Sequence, residues 1–298
     1  MEIGIALPHL GQHASRDAIK KIAIEAEAMG FDGLWVLERL LRPTFPIPQF
    51  GHLAHMAEHY AVAYDPIDTL TFAAAVTDRI KLGTSIVDAL FHVPVTPARR
   101  FATLDQLSNG RAIAGLGQGA NEPEFQTANV SMRRRGSGFE EFIAAMRAAW
   151  SPDPVKFEGR FYTIPESQIG PKPVQANLPI IIGGSSPAAI ERAARIADGL
   201  NPVGGSFAML EQSLAHYRQA IQTHGRDLSK QLIVVRTNGN SRDGSRPMLT
   251  GSVEEIKADI ARLTELGVNH AFLDMNTHQT PIDEQLKHME VMIKAAKG

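Results

Sequence analysis

Four side chains in the stretch GHLAHMAEHYAVAYDP, Gly51 to Pro66, could do chemistry together: His52, His55, Glu58 and His59. Residues 55 to 59 spell H-x-x-E-H, and on a helix the two outer histidines share one face, as in one class of zinc protease. Zinc hydrolysis needs a third protein ligand and an open coordination position. The chain supplies no convincing downstream glutamate on a matching helix, so no metal site is assigned. The segment is instead predicted to be a helical lid, with His52, His55 or His59 facing a substrate and titrating near neutral pH.

Two other places carry chemistry. IIIGGSSPAA ends a buried run on Gly183-Gly184 and opens a helix with Ser185 or Ser186 as N-cap and Pro187 at its first position. This is either a phosphate seat of exposed backbone N–H groups or an ordinary well-capped turn. GLGQGANEPEF follows another apolar run. Its glycines would let a flat ligand approach the backbone, while Gln118, Asn121 and Glu122 could bond a heterocycle; the alternative is a flexible loop.

The elements that must position these residues alternate strictly. Ile3–Leu7, Gly33–Leu37, Ile80–Val87, the run RAIAGLG, PIIIGG, the short GLNPV, QLIVVRT and HAFLDM read as strands, and each is followed by a segment of helical spacing. Ile19, Ile22, Ala23, Ala26 and Met29 mark the first helix, and Phe207 to Thr223 marks the one after the sixth strand. An insert from about 151 to 178 contains a hairpin turning at Glu158-Gly159. The strands are continuous apolar runs, as parallel strands buried on both faces must be. Eight such units close most economically as a single α/β domain, a (β/α)8 TIM barrel over residues 1–298. An open doubly wound sheet is the alternative that Gly115-x-Gly117-x-x-Ala120 invites, but Pro123 and an arginine run stand where its helix and next strand should be.

In a barrel, function lies on the loops after the strands. The longest, Glu38 to Asp65, holds the lid; Asp88 to Val95, Gly117 to Gly136, Gly183 to Ser186 and Thr237 to Thr250 form much of the remaining rim.

Composition narrows the function. The 298 residues are 44% hydrophobic and 21% charged, enough for a sizeable core. Net charge is −2, from 30 basic and 32 acidic residues, so there is no positive field for nucleic acid or an anionic membrane. With no cysteine, thiolate nucleophiles and Cys-ligated zinc are excluded. The opening MEIGIALPHL carries no basic leader, and no segment has about 20 consecutive apolar residues. A soluble, cytoplasmic enzyme acting on a small molecule is expected.

GFDGLWVLERL, KLGTSIV, TPARRFATLDQLSNGRAIAGLGQGANEPEF, MRRRG, FEGRFYTIP and IGPKPVQANLPIIIGGSSPAAIERAARIADGLNPVG, in that order, resemble the bacterial luciferase-like (β/α)8 superfamily. More narrowly they resemble its oxidoreductases that use the deazaflavin coenzyme F420. The likeness runs from Ile3 to about Gly204. It implies a cofactor ring against a bulge in the third strand, at Thr84-Ser85-Ile86, commonly with a non-proline cis peptide. It implies a flanking loop at Gly117, Gln118, Gly119 and Asn121, and a phosphate seat at Gly183, Gly184, Ser185 and Ser186. Arg133, Arg134 and Arg135 could pair with the acidic cofactor tail, Arg134 foremost among them. Relatives commonly have an acidic residue followed by histidine where this chain has Glu38-Arg39, which puts a histidine acid-base role there in doubt. Glu38 would then bond the ring and Arg39 an anionic ring or substrate oxygen, with His55 and His59 on the substrate side. Hydride transfer to or from a small organic substrate follows, in an expected homodimer. An FMN-dependent monooxygenase fed by a partner reductase, and a non-enzymatic cofactor-binding barrel, are the alternatives.

Overall fold

The computed structural model describes residues 1–49, 52–239 and 244–298. Phe50 and Gly51 of the lid segment and residues 240–243 of the loop after the seventh strand lie outside them. Eight parallel strands form the barrel: β1 Glu2–Ala6, β2 Gly33–Val36, β3 Lys81–Thr84, β4 Ala112–Gly117, β5 Ile180–Gly183, β6 Gly199–Asn201, β7 Leu232–Thr237 and β8 His270–Leu273. Each pairs with its neighbour in sequence, β8 pairs with β1, and β4 with β5, so the sheet closes. The open sheet is thereby excluded.

Helices return the chain between strands: α1 Arg16–Met29, α2 Pro66–Ala74, α3 Val95–Leu107, α4 Glu122–Thr127, α5 Ser137–Trp150, α6 Pro187–Ile196, α7 Phe207–Thr223, α8 Val253–Glu265 and α9 Ile282–Lys297. The first illustrates why they form where they do. Ser15 caps it by accepting from Ala18 N, Gly30 ends it in the left-handed region, and Ile19, Ile22, Ala23 and Ala26 bury one face. No helix among the described residues is long and apolar enough to cross a membrane.

Apolar side chains fill two layers. Those pointing outward from the strands pack under the helices, while Ala6, Trp35, Ile113, Ile181, Val234 and Phe272 fill the barrel interior. Trp35 is the large piece: its indole stacks on Phe272 with centroids 4.9 Å apart, and its Nε1–H donates to His270 Nε2 at 2.8 Å. An indole N–H can only donate, so His270 Nε2 must accept and its proton sits on Nδ1, facing Glu2 at 3.2 Å. Burial lowers the His270 pKa, consistent with that neutral ring.

Three departures from the expected elements matter. β3 stops at Thr84 and a two-residue extension, Val87–Asp88, resumes beside β4. The segment 117–136 is not an open loop, because it holds α4 and a 3-10 turn at Met132–Arg134. The lid is not a helix. Among its described residues Ile47–Gln49 pairs antiparallel with His52–Ala54, and a 3-10 turn follows at Glu58–Ala61. His55 and His59 therefore do not share a helical face, and the H-x-x-E-H spacing has no geometric meaning here. No cluster of metal-ligating side chains occurs among the described residues.

The insert forms a hairpin, Val155–Glu158 with Thr163–Ser167. Glu141 on α5 holds its turn by accepting from the backbone N–H groups of Arg160, Phe161 and Tyr162.

Candidate active site

A cleft of about 520 Å³ opens at the carboxyl ends of the strands. It is lined by Leu37 to Arg39 after β2, Ser85, Ile86 and Asp88 after β3, Gly117 to Ala120 after β4, Arg135, Gly183 to Ser186 and Ala189 after β5, and Arg236 on β7. Barrel enzymes work at this face.

Its floor is the break in β3. The Ser85-Ile86 peptide bond is cis. Ser85 Oγ donates to Asn201 Oδ1 at 2.6 Å, and Asn201 Nδ2 donates to the carbonyl of Val234. The strand break is thus tied across the barrel to β6 and β7. Ile86 projects between Gly117 and Gly183: a Cβ on either glycine would lie 2.3 Å and 2.7 Å from its side chain. These two glycines make room first for Ile86, and only through it for any ligand above. Thr84, expected in the site, is fully buried, and its hydroxyl exchanges hydrogen bonds with Gly115 O and N at 2.7 and 2.8 Å. It braces the floor without reaching the cleft.

One wall is ionic. Glu38 is buried, and both carboxylate oxygens are engaged: Oε2 accepts from Asp88 N at 2.7 Å and Oε1 meets His92 Nε2 at 2.8 Å. Burial alone would lower the His92 pKa, but the hydrogen bond and charge of Glu38 raise it overall. Glu38 therefore ties the ends of β2 and β3 together. Arg39 pairs through Nη1 with the fully buried Glu124 of α4 at 2.7 Å, and its guanidinium lies 4.8 Å from the centre of the Tyr60 ring. Its Nε is the one buried side-chain polar atom among the described residues with no hydrogen-bond partner. Such a donor is costly to leave unmade, and it belongs to a residue lining the cleft.

The other end is a helix start. Ser186 caps α6 by accepting from Ala189 N at 3.3 Å, and Pro187 takes the first helical position. Ser185 is exposed and lines the cleft with Gly184. The geometry suits an anion held by backbone N–H groups and the helix dipole.

Several expected residues are placed differently. Gln118 lines the cleft, but its Oε1 accepts from Gly136 N at 2.9 Å. Gly119 adopts φ 74°, and a Cβ there would meet Phe91 and Phe125, so it is demanded by backbone and packing. Asn121 stands at the N-cap position of α4 and spends its amide on Glu124 at 2.8 Å. Arg134 lies over the rings of Phe161 and Tyr162, at 5.5 and 5.4 Å, and Arg135 lines the cleft in its place. His55 is exposed and outside the cleft lining. His59 is buried beside Tyr60, and burial lowers its pKa; Asp274, Arg236, Arg39 and His278 are the charged groups around it.

Two charged lining residues were not among the expected site residues. Arg236 is bound to Asp274 through Nη2 at 2.7 Å, and Asp274 and the nearby Tyr60 both favour its charged form. Asp88 is buried, and its Oδ1 accepts from Gly119 N at 3.0 Å. The signal for both was position: a charged residue at the carboxyl end of a barrel strand.

The luciferase-like monooxygenase family model matches residues 1–245, beyond the stretch where the motifs carry the likeness. A Mycobacterium tuberculosis protein described as uncharacterised is 35% identical over 253 residues, 84% of each chain. An F420-dependent glucose-6-phosphate dehydrogenase of Kineococcus radiotolerans is 30% identical over 209 residues, 68% of this chain and 58% of that one. Among solved structures, the monooxygenase RslO1 of Streptomyces bottropensis superposes with a TM-score of 0.79 at 22% identity over 98% of both chains, a likeness of fold. Closed eight-stranded barrel, strand-three break and family match agree, and the chain belongs to the luciferase-like monooxygenase family.

Proposed function

We propose that this luciferase-like oxidoreductase binds coenzyme F420 in the cleft and transfers hydride to or from a small organic substrate. One observation carries the reading. A single cleft has the Ile86 floor and the Gly117–Ala120 wall, shaped for a flat ring, and the start of α6, suited to a phosphate. The unpartnered Arg39 Nε fits a ligand oxygen, and Arg135 fits an acidic cofactor tail. The name of the 30% identical relative supports F420 in particular.

The bound deazaflavin would supply a hydride donor or acceptor that reacts poorly with oxygen. The chain does the rest. Ser85, Ile86 and Gly117 to Gly119 orient the ring, Gly183 to Ser186 hold the phosphate, and Arg39 stabilises negative charge on ring or substrate oxygen. Glu38 acts on this group by fixing Asp88 and His92. The lid, through Tyr60 and His59, covers the substrate side and excludes water. The same reading takes the protein as a cytoplasmic homodimer with a small-molecule partner.

The second reading is an FMN-dependent monooxygenase, favoured by the family description and by the fold of RslO1. Its ring and phosphate would use the same seat. Fluorescence-quenching titration of the purified protein with F420 and with FMN separates the two. F420 binding with micromolar or tighter affinity is expected, and tight FMN binding without F420 binding overturns the first reading.

A further inference from the structure

The cleft contains a carboxyl group that neither ring nor phosphate seat requires. Asp88 stands two residues beyond the cis Ser85-Ile86 bond, on the cleft wall, and is 7% exposed. Two hydrogen bonds fix it, and the lack of a side chain at Gly117 leaves its carboxyl room. Its backbone N–H donates to Glu38 Oε2 at 2.7 Å, its Oδ1 accepts from Gly119 N at 3.0 Å, and a Cβ on Gly117 would approach that oxygen to 3.2 Å. The carboxyl is therefore held beside the slot assigned to the ring, with little freedom to turn away.

Its surroundings set its charge. Burial is the largest influence and disfavours the carboxylate; the charges of Glu38 at the end of β2 and Glu124 on α4 act in the same direction. Arg39 and the Gly119 N–H favour the carboxylate. Arg39 is already matched to Glu124, and His92 to Glu38. Neither forms an ion pair with Asp88. The balance raises its pKa to about 7, which brings its titration into the neutral range. A group with that poise is suited to both giving and taking a proton.

We propose that Asp88 is the proton donor and acceptor that accompanies hydride transfer in this cleft. The proposal rests on the hydride-transfer reading above. In the reducing direction a C–H bond forms at the substrate's carbonyl carbon from the hydride and its two electrons, given by the reduced deazaflavin. The carbonyl π electrons move to oxygen, which forms an O–H bond with the Asp88 proton as the Asp88 O–H bond breaks. Substrate gains two electrons and cofactor loses two; the cofactor's remaining ring proton goes to water, and the Asp88 carboxylate is reloaded from water. Oxidation of an alcohol runs the same steps backward, with the Asp88 carboxylate as base. The lid histidines need not transfer this proton, because neither His55 nor His59 lines the cleft.

Asp88→Asn is the test, since an amide oxygen still accepts from Gly119 N but cannot exchange a proton. The first measurement needs no cofactor: carboxyl carbon NMR of protein labelled at aspartate, titrated from pH 4 to 9. One resonance with a midpoint near 7, absent from Asp88→Asn, is expected; an Asp88 midpoint below 5 overturns the proposal. The second measures turnover with reduced F420 over a panel of small ketones, aldehydes and enones, using the best acceptor. The variant should lose at least a hundredfold in kcat, with cofactor Kd within threefold of wild type, and lose the limb of the pH profile near 7. Asp88→Glu should recover part of the rate. A variant with wild-type kcat and pH profile overturns the proposal, as does equal loss in Asp88→Glu with wild-type cofactor binding. Failure of F420 to bind would defeat the cofactor reading, while the NMR titration would still report on Asp88.

Discussion

The side chain of Ile86 occupies the space that Gly117 leaves empty: a Cβ at position 117 would lie 2.3 Å from Ile86 Cδ1. Gly117→Ala must therefore displace the residue that forms the cleft floor. Overpacking of this kind costs about 1–3 kcal/mol. A lower Tm together with weaker cofactor binding is expected, by thermal melting and fluorescence quenching. A variant unchanged in both would remove Ile86 from its assigned place under the ring.

The anion seat is tested best at Ser185, which is exposed, and not at Gly184. Gly184 has φ 139°, and any Cβ there would lie 2.8 Å from that of Ala189, so a side chain at 184 perturbs the turn whatever its charge. Ser185→Asp places a carboxylate against the bound phosphate. Cofactor affinity should fall by at least about tenfold, or about 1.4 kcal/mol, with Tm unchanged. Ser185→Ala should bind nearly as wild type.

Glu124 is fully buried, and Arg39 is its ionic partner. Arg39→Ala leaves that carboxylate without a counter-charge, at a cost of about 3 kcal/mol. Urea denaturation at neutral pH should record the loss. Adding Glu124→Gln to Arg39→Ala should restore part of the stability, and a double-mutant cycle that shows no coupling would contradict the pairing.

At the opposite end of the barrel, the hydrogen bond from His270 is the main reason that the Glu2 pKa falls to about 2, with Lys81 assisting. The folded value lies below the unfolded value near 4.5. The unfolded chain thus takes up the proton first as pH falls, and the contribution of Glu2 is present above pH 4.5 and lost between about 4.5 and 2. Wild type should lose stability through that window more steeply than Glu2→Gln. Parallel curves of stability against pH would refute the linkage.

The lid makes two histidines unequal. His59 is buried against Tyr60, whose ring covers Arg39, whereas His55 is exposed. His59→Ala should raise KM for the substrate severalfold and leave cofactor Kd within about twofold. His55→Ala should change neither. Steady-state kinetics beside cofactor titration distinguishes these outcomes, and a larger effect at His55 would reverse the assignment.

Local patterns were legible wherever one face or one cap decides the structure. Ser186 with Pro187 marked the start of α6, Phe207 to Thr223 outlined α7, and the insert hairpin appeared where VKFEGRFYTIP placed it. Patterns failed where neighbouring residues diverge. Arg134 and Arg135 are adjacent in sequence, yet one stacks on the insert hairpin and the other lines the cleft, because a 3-10 turn and its exit point successive side chains in different directions. The H-x-x-E-H spacing at His55 presupposed a helix that the lid does not form.

By itself the sequence determined the alternation of strand and helix, the closure into eight units and the family, because continuous apolar runs, caps and ordered motifs are local properties. Only the tertiary structure decided what each site residue does. Thr84 turns to Gly115, Glu38 joins Asp88 to His92, Asn121 serves Glu124, and Asp88 meets Gly119 across 31 positions of chain. Hydrogen-bond partners, burial and proton affinity are set by groups that the chain brings together from far apart. No spacing within one segment encodes them.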